Sequence, residues 1–172
     1  MHTGRRFVVI SLVSLFCSLS AFPQPSGTSA NEDNLYSKAL IASITEMEKS
    51  WSYIDDGDHG GRIRTDYHRM LVRKNPEITD HLLAQFGDHH LDYLDDLALI
   101  DKYKARRKEF SVLEVHPMRN DGTRLKINVS VSWVRYENGK LILAFSDWAD
   151  VEFLYDCQNQ SYSISGVKLG GI

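Results

Sequence analysis

Cysteine is scarce in this chain: only Cys17 and Cys157 occur among 172 residues. An excess of positive charge is also lacking, since 20 basic and 23 acidic residues leave a net charge of −3. Nucleic acids and anionic membrane surfaces are bound through basic faces, so neither is an expected partner. A phosphate loop, a dinucleotide fingerprint and a serine nucleophile elbow are all missing, and no cofactor is expected. There is no internal repeat and no low-complexity tract.

Long hydrophobic runs are absent with one exception. Arg5 and Arg6 precede an uncharged stretch from Phe7 to Phe22, and the polar segment Pro23-Gln24-Pro25-Ser26-Gly27-Thr28-Ser29 follows. A basic start, a short apolar middle and small residues at its end make residues 1–21 a secretory signal peptide. Residues 22–30 read as a flexible linker and 31–172 as a single domain. The expected location is periplasmic or secreted, soluble, outside the reach of cytoplasmic ATP and nicotinamide pools. A bulky Phe16 before Cys17 argues against cleavage and lipidation there, so the cut is expected after Ser20 or Ala21, with Ala30 as the alternative. Loss of Arg5 and Arg6 lowers the net charge from −3 to −5. Only Cys157 then remains, which excludes an internal disulfide. About 150 residues suffice for one domain with its own core.

The hydrophobic period divides the mature chain in two. From about Asp33 to Lys108 it is helical; from Phe110 to Leu169 it alternates. Tyr36, Leu40, Ile44, Met47 and Trp51 form the stripe of a first helix, opposite Lys38, Ser43, Glu46 and Lys49. A second helix, carrying Ile63, Tyr67, Met70 and Leu71, is expected to stop at Asn75 before Pro76. Thr79 then caps a third stretch that Gly87 divides, with Asp88 recapping the helix of Leu91, Leu94, Leu97, Ala98 and Tyr103. Farther on, Leu125, Ile127, Val129, Val131 and Trp133 share one face of a strand, with Lys126, Asn128, Ser130 and Ser132 on the wet one. Asn120-Asp121-Gly122 and Glu137-Asn138-Gly139 read as hairpin turns, and strands are expected at 140–148, 151–156 and 161–169. The fold class is α+β, N-terminal helices packed on an antiparallel sheet formed by the C-terminal half.

This order of elements, with the long hairpin from Tyr136 to Gly166 ending in Tyr162-Ser163-Ile164-Ser165-Gly166-Val167, resembles the nuclear transport factor 2-like group, also called SnoaL-like or ketosteroid-isomerase-like. The resemblance is architectural and covers most of the mature chain. It implies a strongly curved, cone-like sheet; a cystatin-like or other α+β sheet is the alternative. Enzymes of that group place an acid, histidine or tyrosine in the mouth of the cone, which makes Glu114, His116, Tyr136, Asp147 and Asp150 the catalytic candidates. The plainer account is carboxylates at strand ends and a histidine before Pro117 at a bend.

Two further clusters invite chemistry. On a helix His89, Asp92 and Asp96 would line up at three- and four-residue spacing and could share a metal ion; the alternative is a solvated helix face. Asp55, Asp56, Asp58 and His59 occupy a Gly-rich loop. Set on the EF-hand template it fails, because Gly60 takes a ligand position and Tyr67 stands where the bidentate glutamate belongs. An acidic interhelical loop suits partner contacts instead. Lys102, Lys104, Arg106, Arg107 and Lys108 sit where a helix C-terminus favours cations. The functional expectation is an exported, non-catalytic interaction protein of inhibitor or immunity type, or a small-ligand carrier, taking a protein partner or a small apolar ligand, with a homodimer among the options. The alternative is an isomerase, dehydratase or cyclase acting on a small apolar substrate.

Overall fold

The computed structural model describes residues 34–52, 65–122 and 124–171. The first helix forms as its stripe demands: α1 spans Leu35–Ser52, and Ala39, Leu40, Ile44 and Met47 are fully buried. The Asn34 side chain accepts the Tyr36 N–H at 2.9 Å, supplying a cap. Ser43, expected on the wet side, is buried together with Ser37.

The second expected helix is not there. Arg69–Arg73 is a strand, β1. Its residues alternate, with Met70 and Val72 buried and Arg69 exposed, and five residues are too few to show a helical period. Pro76 starts a helix instead of ending one. The single turn α2, Pro76–Thr79, has Asn75 as its N-cap, with its side chain accepting from the Glu77 N–H. Thr79 closes that turn, donating its hydroxyl to the Asn75 carbonyl at 2.8 Å, and caps nothing downstream.

The third stretch splits differently from expectation as well. Gln85–Phe86 (β2) turns through Gly87, at a φ of 54°, into β3, His89–Leu94. Asp95 then caps α3, Asp96–Arg106, by accepting the Ala98 N–H. Leu91 is buried in a strand, whereas Leu97, expected on the core side of a helix, is 74% exposed. The end of α3 carries Lys104 and Arg106, and Arg107 adopts the left-handed conformation with its N–H on the Tyr103 carbonyl.

From Phe110 onward the chain forms strands as expected: β4 (Phe110–Val115), β5 (Arg119–Asp121), β6 (Arg124–Glu137), β7 (Lys140–Asp156) and β8 (Ser161–Gly171). Ser130 and Ser132, expected on the wet face of β6, are nevertheless buried, and Val134 is buried in place of Trp133, because α3 covers part of that second face. Asn138 and Gly139 both take positive φ, as a tight hairpin with the right twist requires. Where two strands were expected between residues 140 and 156 there is one. A register shift opposite Val131/Ser132 lets it continue past Ser146.

The sheet is mixed, not antiparallel, and is not confined to the C-terminal half. Its order is β2-β3-β1-β4-β6-β7-β8, with β5 on β6. β1 runs parallel to both β3 and β4; the other pairings are antiparallel. On one face α1 covers Met70, Val72, Leu91, Leu113, Ile127, Val129, Val131, Val151 and Phe153, which form the main core. On the other, Leu99 of α3 packs on Phe110, Val112 and Val134, a smaller core. Among the described residues β8 pairs on one side only. Near its end Gly170 lies opposite Trp148, whose ring occupies the space that a Cβ there would need.

Candidate functional site

Beyond the reach of α3, its face of the sheet is polar, and most of the catalytic candidates stand there. Glu114 lies in the same alternating row as Phe110 and Val112. One of its oxygens accepts from Arg73 at 2.9 Å and the other from the Ser132 hydroxyl at 2.8 Å. Arg73 also grips Asp96 with two parallel bonds of 2.8 and 2.9 Å. These bonds hold the Asp96 carboxyl below the usual carboxylate range and push the guanidinium further up. The His116 Nε2 lies 2.8 Å from the Ser130 hydroxyl, and Asn128 donates to Asp150 at 2.7 Å. Tyr136 sits beneath the Lys104 ammonium, 5.0 Å from its ring centre. These groups are engaged pairwise along the sheet, each with a neighbour on an adjacent element.

A hollow of about 430 Å³ opens where β1 and the start of β4 part. Arg69, Asp92, Lys102, Arg106, Lys108 and Glu109 are among its lining residues. None of the five catalytic candidates lines it. The basic run at the end of α3 therefore does more than complement a helix terminus: three of its members border this hollow.

The expected metal trio does not assemble, because the segment is a strand and not a helix. Successive residues of β3 point to opposite faces, so His89 and Leu91 lie toward α1 while Asp92 lies on the far side. There Asp92 pairs with Arg69 at 3.6 Å, and Asp96 with Arg73. His89 instead meets two residues that spacing could not join to it, Glu48 near the end of α1 and His68 just before β1. Its Nε2 is 3.0 Å from Glu48 Oε2, and the His68 Nε2 is 3.8 Å from Glu48 Oε1. The other nitrogens face Asp88: His68 Nδ1 at 3.2 Å and His89 Nδ1 at 3.2 Å. The last contact is close but misaligned, so His89 Nδ1 is buried without a hydrogen bond. Phe86 stacks on the His89 ring, centroids 4.6 Å apart and planes within 3°.

Asp147, the remaining catalytic candidate, belongs to this side of the molecule. It accepts from the Ser146 hydroxyl and, with Glu48, adds to the burial that pushes the Tyr67 phenol well above its ordinary value. Asp55, Asp56, Asp58 and His59 lie outside the described residues. Nothing in the sequence signals the Glu48, His68 and His89 grouping, whose members are 20 and 21 residues apart. The pairing of β1 with β3 sets His68 beside His89, and α1, lying over the same face of the sheet, brings Glu48 to them. Comparison with family models, curated proteins and solved structures finds no match to this chain.

Proposed function

We propose that the chain is an exported recognition protein that takes an extended segment of a protein partner onto the free edge of β8. The observation that carries this reading is the edge itself. Eleven residues from Ser161 to Gly171 have a strand neighbour on one side only among the described residues, and they bear a single charge, Lys168, and no proline. Exposed edges are ordinarily protected by charge, proline, bulges or short length; β8 has one bulge, the extra residue Ser165 between Ile164 and Gly166, and is otherwise a template for another strand. Leu154, Tyr155 and Ile164, each 40–47% exposed on the paired stretch of β7 and β8, offer apolar contact beside it. The engagement of Glu114, His116 and Asp150 with protein neighbours, and their absence from the hollow, weigh against the isomerase, dehydratase or cyclase reading. The same proposal takes the sheet as curled into a cone of the nuclear transport factor 2-like kind. The register shifts at Val131/Ser132 and Glu152/Phe153 support that curvature, because a bulge bends and twists the strand that carries it.

Purification of the exported protein from its native compartment tests the proposal. A stoichiometric protein partner is expected, and it should be lost when Ser163→Lys and Ile164→Lys place charges along β8 while the fold is retained. A copurifying small apolar molecule with no protein partner would favour the enzyme reading. A complex indifferent to the β8 charges would exclude this edge.

A further inference from the structure

We propose that Glu48, His68 and His89 form a zinc-binding site, with Asp88 orienting the imidazoles from behind. Their donor atoms lie within 4.8 Å of one another. In a tetrahedral zinc site with bonds of about 2.0–2.1 Å, ligand atoms stand roughly 3.3 Å apart. Glu48 Oε2 stands 3.0 Å from the His89 Nε2 and Oε1 3.8 Å from the His68 Nε2, so the carboxylate lies between the two imidazoles, within side-chain rotation of a common ion.

Chemistry and orientation agree with the distances. Two imidazoles and one carboxylate are a ligand set zinc accepts with a fourth position left open, and His68, 60% exposed, keeps this side of the cluster open to water. Asp88 reaches the Nδ1 atoms of both histidines, so an Nδ1–H on each ring faces a carboxylate and the Nε2 lone pairs turn toward Glu48. Such an outer carboxylate fixes the tautomer and raises the basicity of the ligand. A slight turn of the exposed Asp88 would also satisfy the His89 Nδ1 that is buried without a hydrogen bond. The stacked Phe86 ring sets the plane of His89. Calcium and magnesium require a shell of oxygens, and two of the three donors here are nitrogens. The bound ion would tie the end of α1, the entry to β1 and the start of β3 to one another.

Titration calorimetry on tag-free, chelator-treated protein tests the site. One zinc per chain is expected, with no comparable heat from calcium or magnesium. At a free concentration roughly 100 times the dissociation constant, zinc should raise the melting temperature by about 5 °C or more. His89 is largely buried, so its replacement also disturbs packing; the exposed His68→Ala and the near-isosteric Glu48→Gln carry the test. Each should weaken zinc by about tenfold or more with the metal-free circular dichroism unchanged, and Asp88→Asn should weaken it by about tenfold. Cys157→Ser should leave binding intact. Absence of zinc binding, binding unaffected by His68→Ala and Glu48→Gln, or binding lost with Cys157 would overturn the proposal. Each of those results leaves the β8 reading untouched.

Discussion

Arg73 shows how one side chain organises its surroundings. Its planar guanidinium spans β1, the first turn of α3 and β4, with two bonds to Asp96 and one to Glu114. A lysine could not reproduce that fork. The Asp96 carboxyl is half-exposed, so its ion pair is screened and modest. Because its pKa is lowered in the folded state, the stabilisation is complete above the unfolded value of about 3.9 and disappears as pH falls through the lower folded value. Asp96→Asn is therefore expected to cost about 0.5–1 kcal/mol at neutral pH. In urea titrations across pH, the gap between wild type and variant should close in the acid range below about pH 4. A gap that persisted there would mean that the asparagine disturbs the helix start and not the ion pair.

At the scale of elements, residues 88–106 are the instructive segment. Leu91, Leu94, Leu97, Ala98 and Tyr103 fit one helical stripe, yet the chain forms β3, breaks at Asp95 and then forms α3. Parallel pairing with β1, five residues in register from Arg69 with His90 to Arg73 with Leu94, outweighs the local pattern. The two arrangements make opposite demands on leucines six residues apart. Leu91→Ala should cost about 2–4 kcal/mol through lost transfer energy and a cavity. Leu97→Ala, at an exposed position, should stay within about 0.5 kcal/mol. Equal losses on chemical denaturation would restore the continuous helix and remove β3 from the sheet.

At the scale of the whole molecule, the two sheet faces have separate tasks. α1 closes the main core on one side, and α3 closes a smaller one on the other, leaving polar sheet beyond it. The proposed zinc cluster and the β8 edge lie on different strands, so a bound metal would stiffen the β1–β3 side without occupying the edge proposed for docking. The recognition role proposed above would require export. Intact-mass analysis of the protein recovered from that compartment is expected to show an N-terminus at Ala21 or Phe22. An N-terminus at Cys17 carrying acyl mass would mean a lipoprotein tethered to a membrane.

Part of this architecture was legible in the residues because its causes are local. α1 carries a stripe long enough to declare a period of 3.6, the sequence of β6 alternates for ten residues from Arg124 to Trp133, and Asn138-Gly139 accepts the positive φ that its hairpin requires. The α+β class follows from those signals. β1 and β3, by contrast, are five and six residues long, and a short amphipathic segment fits either period until a neighbour supplies hydrogen bonds. Their parallel pairing turned two expected helices into strands and made the sheet mixed. The site followed the same division. That histidines and acids crowd residues 81–96 was plain, but which of them meet depends on the two-residue alternation of a strand. That alternation sends Asp92 to one face and His89 to the other, where it meets Glu48 and His68 from distant segments. No spacing in a linear chain encodes such a meeting, because it takes both the β1–β3 pairing and the placement of α1 over the same face of the sheet to create it.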